Sequence, residues 1–339
     1  MFPKILRTGI ALAAVVLLAG SVWLAVGLYL PQDLPTEDVV LEVERGAGVS
    51  AIARSLAAGN LIRNKTAFLA GYRLFFYPRR IKAGEYSFSS PLPAKEILNM
   101  LVKGKVLLHA VTIPEGLTGQ EIGPLIAPLL AEGAEGFAAV FHQTETIAGL
   151  DPKAADLEGY LFPETYSFPK GVSAEEAVGT MVGLFRRVFD GLWAERPASL
   201  RLSVRETVIL ASLVEKETSI TEEKKLVSAV FHNRLRLGMK LDCDPTIIYA
   251  LKLKGTYDGR LGKKDMTLDS PYNTYRYAGL PPGPICNPGR EALQAALVPA
   301  DEEFLYFVSR NDGSHHFSRT FREHLAAVRL YQKGTGRGS

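Results

Sequence analysis

The chain has 339 residues, 47% of them hydrophobic, with a net charge of +3 and two cysteines. That length suits about two domains, and the apolar content supplies a sizeable core. The charge is too small and too evenly spread for a nucleic-acid surface, and Cys243 and Cys286 permit one bridge in an oxidising compartment but no disulfide scaffold.

Gly9 to Leu30 is an uncharged run of about 22 residues, which at about 1.5 Å of rise each spans roughly 33 Å of bilayer. Lys4 and Arg7 precede it, and Asp33, Glu37 and Asp38 follow. The positive-inside rule therefore puts residues 1–8 in the cytoplasm, a single span at 9–30 in the cytoplasmic membrane and the rest outside. A cleaved signal peptide is the rival reading, but the run is longer than a typical h-region. Leu17-Leu18-Ala19-Gly20 opens like a lipoprotein box, yet Ser21 stands where a lipidated cysteine would be.

A polar linker follows over 31–38, then a small unit over 39–107. Val39–Val43 alternates as a strand, Gly46 and Gly48 turn the chain, and Val49, Ile52, Ala53 and Leu56 fall at helical spacing before a stop at Gly59. A second helix runs through Phe68 and Leu69. Tyr86 and Phe88 alternate as a strand, and Ile97, Leu98 and Leu101 mark a last helix ended by Gly104. This order describes a small α+β module. Gly46-Ala47-Gly48-Val49-Ser50-Ala51 matches a dinucleotide-binding fingerprint, but the strand before it is polar and no second parallel strand with an acidic end follows, so it reads as a turn.

Residues 108–333 form a mixed α+β domain, less readable as far as about Leu200. Ser203-Val204-Arg205-Glu206 is a capping box opening a helix that runs through Glu217. A second helix starts near Thr221, with Glu222 and Glu223 at its positive end, Arg234 and Arg236 at its negative end and Gly238 as its stop. Asp244-Pro245-Thr246 reads as a turn and cap before a short helix near Ile247–Leu251. A Pro/Gly/aromatic loop spans Ser270–Gly289, a last strand is expected at Phe304–Val308, and a disordered tail at 334–339.

HExxH, paired CxxC, GxSxG and P-loop motifs are missing from the sequence, so no metal and no cofactor is expected. His315-His316 is not spaced to share a metal on one helix face and reads as a loop pair. Carboxylates remain. Three and four residues before Glu217 stand Val214 and Leu213, whereas Glu215 looks back on Ser212 and Ala211. Glu217 thus projects from the more apolar side, where desolvation raises a carboxyl pKa and suits it to donate a proton to a glycosidic oxygen. The pattern alone fits two surface carboxylates at a fraying helix end as well. The loop Tyr272 to Gly283 offers aromatic faces for sugar rings and Asn and Thr for hydroxyl and acetamido groups, or equally a structural loop with packed tyrosines.

Taken together, Ala211–Thr218, Val230-Phe231-His232-Asn233-Arg234-Leu235, Asp244-Pro245-Thr246, Tyr272-Asn273-Thr274-Tyr275, Gly279-Leu280-Pro281-Pro282-Gly283 and Leu157–Tyr166 resemble the endolytic murein transglycosylases, the YceG-like family. The small module is similar to a degenerate LysM unit. The resemblance implies a lyase: one glutamate, here Glu217, protonates the oxygen between N-acetylmuramic acid and N-acetylglucosamine, then takes the proton of the muramoyl C6 hydroxyl as a 1,6-anhydro ring closes. Glu158, Glu164, Asn233, Asp244, Thr246, Tyr272, Asn273 and Tyr275 are the expected groove residues. The implied partners are glycan strands of peptidoglycan, the cell membrane and the peptidoglycan synthases, whose nascent strands the cut would terminate. A Cys243–Cys286 disulfide pinning two site loops is a further expectation. Two other readings stay open: a hydrolytic muramidase with Asp244 or Glu164 as a second carboxylate, and a non-catalytic wall-binding scaffold.

Overall fold

The computed structural model describes residues 4–33 and 38–332. Residues 34–37 of the expected linker, residues 1–3 and the tail 334–339 lie outside the described residues. The chain divides into two compact units, Met1–His109 with Ser167–Gly171, and Ala110–Tyr166 with Val172–Ser339.

In the first unit α1 (Lys4–Tyr29) is one unbroken helix, long and apolar enough to cross a membrane from Arg7 to Tyr29. Its last turn is committed to protein packing. Leu28 is buried in the core of the module, and a Cβ added at Gly27 would stand 2.4 Å from the Cβ of Ala67. The module follows as β1 (Val39–Val43), α2 (Val49–Ala58), α3 (Lys65–Phe75), β2 (Gly84–Phe88) and α4 (Ala94–Lys103). β1 and β2 are antiparallel, with Leu41 opposite Tyr86 and Val39 opposite Phe88. Leu41, Val43, Tyr86 and Phe88 meet Ile52, Leu56, Phe68, Ile97, Leu98 and Leu101 in one core. These are the period-2 and helical-period positions of the sequence, so pattern and packing coincide. An antiparallel partner excludes a βαβ nucleotide unit, and Gly46, at φ 82°, makes a turn that a side chain would strain.

β3 (Leu108–Thr112) and β4 (Thr165–Pro169) are neighbours in a two-stranded sheet. Between them in the chain run α5 (Gly119–Ile126) and α6 (Gly133–Phe141). The rest of the second unit is α7 (Ala174–Ala194), α8 (Val204–Glu217), α9 (Thr221–Arg236), α10 (Asp244–Leu253) and α11 (Arg290–Leu297), then the antiparallel hairpin β5 (Tyr306–Ser309) and β6 (His315–Ser318), and α12 (Phe321–Tyr331). Every residue of α8 from Thr207 to Val214 is buried, and α9, α10 and α11 all pack on it. A helix apolar on every side must lie inside its domain, and α8 is that central rod.

Three expectations are corrected. His315 and His316 sit on strand β6 of a hairpin, not in a loop, because Asp312 and Gly313 turn the chain just before them. Asp244-Pro245-Thr246 is the first turn of α10 itself, with Cys243 at the cap position and Pro245 where a missing N–H costs nothing. The strand expected to be the last, Phe304–Val308, is found as β5 and is followed by β6 and by α12, opened by a Thr320–Glu323 capping box.

Candidate active site

The capping box at Ser203 and Glu206 starts α8, and the helix carries its burial to Val214 before releasing two carboxylates at its end. They differ in their surroundings. Glu215 accepts from Lys224 Nζ at 2.9 Å and from Gly289 N at 3.0 Å, both side chains being almost wholly enclosed. Glu217, the last helical residue, has no ion pair among the described residues. It keeps some solvent contact as a residue, while its carboxyl is densely surrounded by protein. Burial, the largest influence, raises its pKa to about 7; a hydrogen bond from the Cys243 thiol works against that rise, and Asp244 adds to it. The C-terminal, negative end of α8 also disfavours an anion there.

The neighbours come from three elements. Cys243 caps α10; burial pushes its thiol well above the ordinary range, so it stays neutral and donates to Glu217. Its own N–H bonds Thr274 Oγ1 at 3.0 Å and its carbonyl accepts from Thr246 Oγ1 at 2.6 Å. One residue on, Asp244 accepts from the Tyr275 hydroxyl at 2.6 Å, an exposed pair. From β6, His315 Nδ1 stands 2.7 Å from Glu223 Oε2, and its backbone N–H donates to Glu223 Oε1 at 2.9 Å. His315 and Arg234 also act on Glu217, each favouring its anion. A single proton-holding carboxyl thus sits beside one neutral donor, with Asp244 opposing and His315 and Arg234 favouring its anion, an arrangement able to give a proton and take one back.

The other expected groove residues separate into two sets. Asp244 is near enough for its charge to act on Glu217, and Tyr275 is tied to Asp244. Thr246 and Asn273 are fully buried and hold backbone: Asn273 Nδ2 donates to the carbonyls of Met266 and Leu268, and its Oδ1 accepts from Tyr275 N. Asn233 likewise donates to the carbonyls of Glu302 and Phe304. Glu164 is exposed and accepts from the N–H of Thr165, the next residue. Glu158 is buried and accepts from Gly119 N, Asn287 Nδ2 and Tyr249 OH; burial raises its pKa to about 8. It lines a cavity of about 380 Å³ with Phe137, Phe141 and Tyr249, and a second of about 240 Å³ with Tyr272 and Arg205. Neither cavity is lined by Glu217.

The expected disulfide is corrected. Both cysteines are free and buried, one bonded to Glu217, the other with Cys286 Sγ donating to Ser212 O at 3.4 Å. Sequence reasoning missed Cys243 as a neighbour of Glu217, along with His315 and its partner Glu223. It also missed Asn287, which accepts from Gly159 N and Leu161 N and donates to Leu117 O, sewing three segments together. Among the described residues no cluster of three His, Cys, Asp or Glu could hold a metal.

Residues 41–330 match the model of the YceG-like family. An endolytic murein transglycosylase of Bacillus subtilis is 30% identical over 309 residues, covering 86% of this chain and 84% of that protein. One of Streptococcus pneumoniae is 29% identical over 334 residues, covering 87% of this chain and 59% of its own length. The crystal structure of a YceG-like protein from Listeria monocytogenes superposes with a TM-score of 0.55 at 31% identity, over 86% of this chain and 100% of that one.

Proposed function

This chain belongs to the YceG-like family, and from that premise we propose that it is an endolytic murein transglycosylase, a lyase acting on peptidoglycan glycan strands through Glu217. The observation that carries the assignment is the Glu217 carboxyl, without an ion pair among the described residues, at the exit of a buried helix and raised to about 7. At neutral pH a substantial fraction of it holds a proton. That proton goes to the oxygen joining N-acetylmuramic acid to N-acetylglucosamine as the bond from that oxygen to the muramoyl C1 breaks. The carboxylate left behind takes the proton of the muramoyl C6 hydroxyl, whose oxygen closes on C1. The product is a 1,6-anhydro end, and Glu217 regains its starting form. No water is consumed, so one carboxyl suffices.

Asp244 and Tyr275 are assigned to the sugar beside the cut, and Cys243 to holding the Glu217 side chain. The βααβ module, similar to a LysM unit, would hold glycan, and α1 would anchor the chain with its domains outside the cytoplasmic membrane. Cutting a nascent strand there would end its elongation, with the peptidoglycan synthases as partners.

Purified full-length protein incubated with sacculi should release muropeptides one water lighter than hydrolytic ends. Glu217→Gln should lower the rate by about 10²–10⁴-fold, the usual worth of a positioned acid–base group. Hydrolytic ends would favour a muramidase, with Asp244, the carboxylate nearer Glu217, as its base. Full release by Glu217→Gln would remove Glu217 from the chemistry. No release by the wild-type protein would leave a wall-binding scaffold.

A further inference from the structure

Beside the end of α1 the first unit carries an apolar tip that its own core leaves uncovered. α3 closes on Arg73-Leu74-Phe75-Phe76-Tyr77-Pro78-Arg79-Arg80, where Leu74 is 65%, Phe75 52% and Tyr77 71% exposed. Three arginines flank it, all exposed. Apolar side chains in that number rarely stay in water together on a small domain.

The contacts between α1 and α3 say which way the tip points. Arg63, before α3, donates to Pro31 O at 2.9 Å, whereas Ala67, one turn into α3, meets Gly27. Moving forward along α3 therefore means moving back along α1. The side chain of Leu28 abuts Gly71, as it must if helical side chains lean toward their own N-terminus. The tip lies a further turn along, toward the apolar body of α1 and the exposed Trp23. Lys95 ties the two levels together: its Nζ donates to Tyr29 OH at 2.8 Å and stands 4.8 Å from the Tyr29 ring centroid and 5.3 Å from that of Phe75. Aromatic rings beside cationic side chains are the chemistry of a membrane–water interface.

We propose that Leu74, Phe75 and Tyr77 enter the headgroup layer of the phospholipid bilayer beside α1, with Arg73, Arg79, Arg80 and Lys95 meeting lipid phosphates. This rests on the reading of α1 as a membrane span. The chain then touches its membrane twice, through a span and through a wedge, and each basic residue near an anionic surface adds attraction that salt weakens.

The test uses the full-length chain in nanodiscs of phosphatidylcholine and phosphatidylglycerol. Native Trp23, in a Trp193→Phe background, reports the span; Tyr77→Trp, with Trp23→Phe and Trp193→Phe, reports the wedge. Leu237→Trp in the same double background is the water-exposed control, its leucine being 54% exposed in the second unit. The expected result is that the tryptophan at 77 emits to the blue of the control, is quenched by lipids brominated near the carbonyl end, and is quenched by iodide several-fold less than the control. Trp23 quenched by bromolipid with the residue at 77 as open to iodide as the control would overturn the wedge and keep the span. Both positions open to iodide would overturn the two readings together.

Discussion

Glu215 and Glu217 stand two residues apart on one helix, yet one is paired with Lys224 and the other keeps a proton to near neutrality. For Glu217 the sign of the pH dependence follows directly. The protonated form starts the reaction, so kcat/KM should be flat below the pKa of about 7 and fall by about tenfold per pH unit above it. A profile that rises from pH 6 to pH 8 would remove the acid role. For Glu215 the consequence is structural. Lys224→Ala strands a buried carboxylate and should cost about 3–5 kcal/mol in chemical denaturation, and removing both partners should cost less than that single change. The apolar neighbours of Glu217 were legible as Val214 and Leu213 at helical spacing. The pairing of Glu215 was not, because Lys224 lies on the next helix and Gly289 far along the chain. Nor was the thiol of Cys243: nothing in Leu241-Asp242-Cys243-Asp244 says that the chain returns to the end of α8.

At the scale of elements, α8 was readable from its capping box, and α9 from its charge bias and the glycine that stops it. The β1–α2 and β2–α4 patterns were readable because each element keeps one apolar face. α7 carries the same kind of signal over its 21 residues, with Ser173 accepting from Glu176 N at its start and Ala177, Val178, Met181, Val182, Phe185, Val188, Phe189 and Leu192 forming one buried stripe at helical spacing. The loop from Ser270 to Gly289 was legible as a loop but not in its attachments. Asn287 satisfies Gly159, Leu161, Leu117 and Glu158 at once, and Gly159, at φ 88° with Pro284 against it, leaves no room for a side chain. Asn287→Ala should therefore leave buried donors and acceptors unmatched and cost about 2–4 kcal/mol, read as a lowered denaturation midpoint. A change below about 0.5 kcal/mol would mean water replaces the amide there.

For the whole molecule, family membership was legible because several separated motifs stand in order, each weak alone. No pattern in the sequence marks that Ser167–Gly171 returns to the first unit from far along the chain. What no pattern announced is that the last turn of α1, still within its apolar run, packs into the module. Leu28 fills the module core against Gly71, so Leu28→Ala should destabilise the first unit by about 2–5 kcal/mol, seen as earlier hydrogen exchange of β1 and β2 while α8 is unchanged. Equal exchange in the variant and the parent would show that the helix end packs loosely.

Because that leucine belongs to both parts, α1 is no slack leash, and helix and module turn as one lever. With α1 crossing the bilayer as proposed, a stretch of 23 residues about 35 Å long would tilt in a thinner membrane and stand upright in a thicker one. Every degree of that tilt would be handed to the module, so lipid thickness would become a dial on the angle at which the proposed glycan-holding module faces its strand.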